Sequence, residues 1–147
     1  MRLIITADLG RLRAFQVTSS EDPAREFVIR EIDTPALEHT PQSIGEIATD
    51  QAGRFSSDGS GGMSRGEAHG LAREEERRLI AQLAGRITAL IGSEKPAGWM
   101  LAAPKSINAR LLEGIGGAHQ KTLRENRAQD IAKLPAKEIG KRFGIDC

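Results

Sequence analysis

Residues 97–116 read "AGWMLAAPKSINARLLEGIG". The first part, "AGWMLAAP", is short, apolar and bounded by turn residues, as a strand buried on both faces would be. From Lys105 onward Ile107, Leu111 and Leu112 recur at helical spacing, and Gly114 and Gly116 close the run. A strand followed by a helix that leads to another strand is a crossover, and crossovers join parallel neighbours. This one stretch therefore excludes an all-antiparallel sheet.

Toward the N-terminus the pattern changes. "RLIITAD", residues 2–8, and "RLRAFQV", residues 11–17, both predict strands. "DLGR" between them predicts a tight turn, with Gly10 free to take positive φ. After the "SSEDP" turn, "REFVIREID", residues 25–33, predicts a third strand, so the first three form an antiparallel meander. Residues 34–50 predict a loop with one helical turn near Ser43–Ile47. Leu71, Leu79, Ile80, Leu83, Ile87, Leu90 and Ile91 then recur at helical spacing, predicting a long helix from about Glu67 to Ile91. Its first half, "AREEERR", is polar nearly all round and braced by pairs such as Glu74 with Arg78, which predicts a projection beyond the core. Downstream, Gln120–Arg127 predicts a polar strand, and "PAKEIGKRFG" a terminal helix opened by Pro135. The sum is one α/β (α+β) domain over residues 1–147, with a mixed, mostly antiparallel five-stranded sheet and flanking helices.

Composition narrows the function classes. The chain has 147 residues, enough for one real core, with 3% aromatics and no tyrosine, so that core must be aliphatic. The single cysteine, Cys147, excludes an internal disulfide framework and a multi-cysteine zinc site. "MRLIITADLG" meets Asp8 too early for a signal peptide, and no stretch approaches the roughly 18 apolar residues of a membrane span, which predicts a cytoplasmic protein. Net charge is +1, so the whole chain is no electrostatic sponge for nucleic acid. Its distribution is uneven: five basic residues against nine acidic in 1–50, seven against six in 51–104, and nine against five in 105–147. A basic face built from the C-terminal third would suit RNA.

Candidate chemistry is sparse. His39, His69 and His119 lie far apart, no Ser-His-Asp set announces itself, and Trp99 belongs to a buried strand. Asp8-Leu9-Gly10 after an apolar strand is similar to the phosphate hairpin of the actin and sugar-kinase ATPases, which need two large lobes. A metal-binding role for Asp8 in a nuclease-like sheet lacks a second strand-borne acid. The plainer expectation is an aspartate that caps its own turn. Residues 51–66, "QAGRFSSDGSGGMSRG", hold Gly53, Gly59, Gly61, Gly62 and Gly66, with Phe55 and Met63 the only large apolar groups. Such a segment buries too little to offset its conformational entropy, and a mobile loop is expected there. From Gly61 the spacing G-x-x-x-x-G appears, but Glu67-Ala68 stands where a P-loop needs Lys and Ser/Thr.

"GGMSRGEAHGLAREEERR" resembles the segment of archaeal and eukaryotic class-one peptide release factors where a Gly-Gly-Gln tip runs into a long charged helix. Over nearly its whole length the chain is similar to the bacterial family named "protein required for attachment to host cells". The matching stretches are "LIITADLGRLRAFQV", "TDQAGRFSSDGSGG", the "EEERR" helix, "WMLAAPKSINARL" and "DIAKLPAKEIGKRF". The resemblance implies a release-factor middle-domain-like fold and a loop that orders against ribosomal RNA. Gly61 and Gly62 then match the paired glycines, while Met63 replaces the glutamine. Methionine keeps the backbone N–H but donates nothing from its side chain. Whether the chain is an enzyme stays open, with the loss of the glutamine weighing against it, and Gly61, Gly62 and Met63 are only a weak catalytic tip. The implied RNA-binding set is Arg54, Gly61, Gly62, Met63, Ser64, Arg65, Arg73 and Arg77. The implied partner is the ribosome, tRNA or rRNA, with no membrane, metal or small-molecule cofactor expected. The chain is too short to add a codon-reading domain. The functions this leaves are a ribosome- or RNA-associated binding module, a residual peptidyl-tRNA esterase, or a cytoplasmic interaction protein needed indirectly for attachment.

Overall fold

The computed structural model describes residues 1–35, 37 and 61–145, with residues 61–71 described as helical backbone alone. Arg54, loop residues 51–60 and the helical turn expected at Ser43–Ile47 lie outside the described residues. In chain order the elements are β1 (Arg2–Asp8), β2 (Arg11–Ser19), β3 (Phe27–Ile32), α1 (Gly61–Glu94), β4 (Gly98–Ala102), α2 (Lys105–Glu113), α3 (Gly117–Gln120), β5 (Leu123–Arg127) and α4 (Ala136–Arg142). The strands form one sheet in the order β3-β2-β1-β4-β5.

The expected meander is present. β1 and β2 pair antiparallel from Arg2 with Val17 to Asp8 with Arg11, and β2 and β3 pair antiparallel from Ser19 with Phe27 to Ala14 with Ile32. The crossover elements supply the other half of the sheet. β4 runs parallel to β1, with Arg2 beside Gly98 and Thr6 beside Ala102, and β5 runs parallel to β4. The sheet is thus evenly divided rather than mostly antiparallel, because each helix that returns the chain across the sheet imposes a parallel pair.

Strand alternation sorts the apolar residues into two layers. Leu3, Ile5 and Ala7 of β1, with Trp99 and Leu101 of β4, face Leu83, Ile87 and Ile91 of α1 and Ile107 and Leu111 of α2. On the other face Ile4, Phe15, Val17 and Met100 pack against Ile131, Ile139 and Phe143 at and before α4. β1 and β4 are covered on both sides, which is why their sequences are continuous apolar runs. Trp99 is fully buried, as expected, and its indole Nε1–H donates to the His119 carbonyl at 2.7 Å. Asn108 and Asn126 exchange side-chain amide bonds of 2.8 and 2.7 Å, tying α2 to β5. Gly114 lets the end of α2 approach α1: a Cβ there would lie 2.8 Å from the Ala84 methyl, closer than two carbons pack.

Two local expectations are corrected, and Gly10 does not use its freedom to take positive φ; among the described glycines only Gly144 takes it, at 71°. The turn is fixed instead by Asp8, whose Oδ1 accepts the Gly10 N–H at 2.7 Å, the turn-capping role read from the sequence. β5 starts at Leu123 rather than Gln120, because Gly117–Gln120 winds into α3. α1 begins at Gly61 rather than near Glu67. Glycines cost about 1 kcal/mol each in a helix, but a helix already nucleated by packing adds a hydrogen bond for each residue it recruits, and Met63, Arg65, Glu67 and Ala68 propagate it well.

Candidate functional site

Of the RNA-binding residues singled out from the sequence, all but Arg54, which lies outside the described residues, fall on the N-terminal half of α1. The helix buries one stripe, Leu79, Ile80, Leu83, Ala84, Ile87 and Ile91, which recurs at the spacing that puts side chains over one another. Before Leu79 the described side chains leave the core: residues 72–74, 77 and 78 are exposed, and Glu75 and Glu76 are half-buried. Arg77 is 80% exposed.

Charge organises this half. Glu74 pairs with Arg77 at 3.9 Å and with Arg78 at 3.7 Å, and Arg78 also reaches Glu75 at 3.3 Å. The expected Glu74–Arg78 pair is present, and such exposed pairs contribute only a few tenths of a kcal/mol each. Glu76 turns to α2, where it meets Arg110 at 3.3 Å, so the acidic run is held down on the α2 side. Arg73 enters no ion pair among the described residues.

Upstream, Gly61, Gly62, Met63, Ser64 and Arg65 are the first helical residues of α1, and no acidic residue occurs in that first turn. A helix start leaves backbone N–H groups free and carries partial positive charge, so a start lacking acids is compatible with an anionic partner. The helix therefore links Gly61, Gly62, Met63, Ser64 and Arg65 to Arg73 and Arg77 along one continuous element. No group of three or more His, Cys, Asp or Glu side chains placed to hold a metal occurs among the described residues. Nor is any described helix long and apolar enough to cross a membrane.

Sequence reasoning passed over another part of the molecule. The carboxyl ends of β1, β4 and β5 open on one edge of the sheet, since these three strands run parallel. The signal was present in Asp8, for which the turn-capping role was the plainer expectation beside a phosphate hairpin and a metal ligand, and in the crossover at 97–116, which placed a helix after β4.

Fold and charged helix together define a single-domain α+β protein with a polar helical extension. The chain belongs to the family described as "protein required for attachment to host cells", whose model matches residues 3–143. A comparison with curated proteins found no match.

Proposed function

We propose that this protein is an RNA-associated binding module that engages the ribosome or a tRNA through the start of α1, without hydrolysing peptidyl-tRNA. The observation that carries the reading is the division of α1: the buried stripe begins only at Leu79, while Arg73, Arg77 and Arg78 ahead of it remain exposed. Cations along a helix position a protein on a phosphate backbone without reading sequence. Gly61 and Gly62 permit close main-chain approach at the helix start, and the resemblance to the release-factor tip supports RNA as the partner. Met63 in place of glutamine supports binding without ester hydrolysis, because the thioether cannot orient a water by donating to it. A location inside the cell is part of this proposal.

Sedimentation of lysate containing tagged protein tests it. Co-migration with ribosomal fractions at low salt, lost on raising the salt and weakened at least tenfold by Arg73→Glu combined with Arg77→Glu, is the expected result. Absence from those fractions at low salt overturns it. A second reading, an interaction protein that acts in attachment without contacting RNA, is favoured by the family description alone. It predicts an attachment defect on deletion that the double Arg variant fully restores.

A further inference from the structure

The carboxyl ends of the parallel strands border an open crevice of about 450 Å³ lined in part by Asp8, Arg11, Ser106, Asp130 and Lys133. Its position follows from topology. The segment after β1 turns back into β2 on one side, while the segment after β4 enters α2 and leads to β5 on the other. Where connections from two adjacent parallel strands diverge, a crevice opens between them, and open α/β sheets bind ligands in such crevices.

The chemistry is paired. The β1–β2 turn supplies one acid and one base, Asp8 and Arg11, and the segment before α4 supplies another acid and base, Asp130 and Lys133. Among the described residues none of these four forms an ion pair. Groups of opposite sign that could neutralise one another stand apart around the crevice instead. The frame holding them is rigid. Asp8 is fixed by the Gly10 N–H. Arg13 donates from one guanidinium nitrogen to the carbonyls of Ala132 and Leu134, at 2.9 and 2.6 Å, and so pins the backbone on both sides of Lys133. Ala132 and Ile131 are buried beneath it.

We infer that this crevice binds a phosphorylated ribose, as a free ribonucleotide or as the terminal nucleotide of an RNA. Carboxylates accept hydrogen bonds and donate none, so Asp8 and Asp130 suit the vicinal hydroxyls of the sugar. Lys133 and Arg11 suit its phosphate, with the Ser106 hydroxyl as a neutral donor. A purely anionic ligand would face two carboxylates, and a bare cation would face an arginine and a lysine; a ligand carrying hydroxyl donors and an anion satisfies all four. The volume lies within the range of small-molecule sites, and Leu9 and Pro104 give it an apolar wall. No described side chain of α1 lines it, so this inference stands apart from the proposed RNA contact of that helix.

The test is a titration of the isotope-labelled full chain, followed by amide NMR shifts, with AMP, 2′-deoxy-AMP, inorganic phosphate and Mg²⁺ at millimolar concentration. AMP is expected to move the signals of Asp8–Arg11, Ser106 and Lys133 and to bind about tenfold better than 2′-deoxy-AMP, the weight of a hydrogen bond to a charged group. Asp130→Ala should erase the preference for ribose, and Lys133→Ala should weaken both nucleotides about tenfold. Both side chains are exposed, and unchanged melting of the variants confirms the fold. A short RNA with a free 3′ end binding more tightly than AMP assigns the site to a terminus; AMP binding as well as the RNA assigns it to the free nucleotide. Four results overturn the inference: no shift with AMP or RNA, equal binding of AMP and 2′-deoxy-AMP, inorganic phosphate or Mg²⁺ alone matching AMP at the same signals, or both variants binding like the parent.

Discussion

The two halves of α1 are held by different forces. From Leu79 to Ile91 the helix is fixed by burial: Leu83 and Ile87 are fully enclosed between the sheet and α2. Through Glu74–Arg78 it is braced mainly by its own ion pairs, with Glu76 reaching across to Arg110 as the link to the rest of the fold. Full burial of one leucine contributes about 1.5–3 kcal/mol, several times an exposed ion pair. The contrast separates roles within one element. The packed half specifies the fold, and the charged half can change sequence with little effect on stability, leaving it available for binding.

Substitutions can break or sharpen that division. Leu83→Ala, in the packed half, should cost about 2–5 kcal/mol through lost transfer energy and a cavity, measured by urea unfolding. Gly114→Ala attacks the same half from α2, since its methyl would meet Ala84 at 2.8 Å; a loss of about 1–3 kcal/mol is expected from overpacking. Asn108→Ala should cost about 1–3 kcal/mol, because it removes the partner of the Asn126 amide and the donor to the Ala103 carbonyl, while the Arg127 carbonyl keeps the Ala103 N–H. The smallest change belongs to the charged half: Arg77→Ala should shift stability by no more than about 0.5 kcal/mol. If it costs as much as Gly114→Ala, the division of α1 is wrong. Only the charged-half variant should alter sedimentation with ribosomes.

The same division explains what the sequence disclosed. Periodic burial is written in residue spacing, so Leu79, Leu83, Ile87 and Ile91 revealed the packed stripe, and "RLIITAD" and "GWMLA" revealed the two central strands. The start of α1 was not legible, because its glycines argue locally against a helix that the structure extends from packing further along. The crevice was hidden for another reason. Asp130 and Lys133 lie in a segment without periodicity, and they meet Asp8 only once β1, β4 and β5 are parallel neighbours. Strand order is a property of the assembled sheet, and single residues carry little trace of it. Even the meander was clearer than the parallel half, since hairpins announce themselves in adjacent sequence.

The pairing of β1 with β4 has a consequence for synthesis. β1 leaves the ribosome before the other four strands of this sheet, yet its second edge is completed by Gly98–Ala102, far later in the chain. Until that partner emerges, the most apolar strand of the nascent protein has one backbone edge open to pairing with a neighbouring chain. Translation that outpaces or stalls before β4 should therefore favour aggregation, and a chaperone bound to the N-terminal hairpin would protect the edge at the moment of greatest exposure.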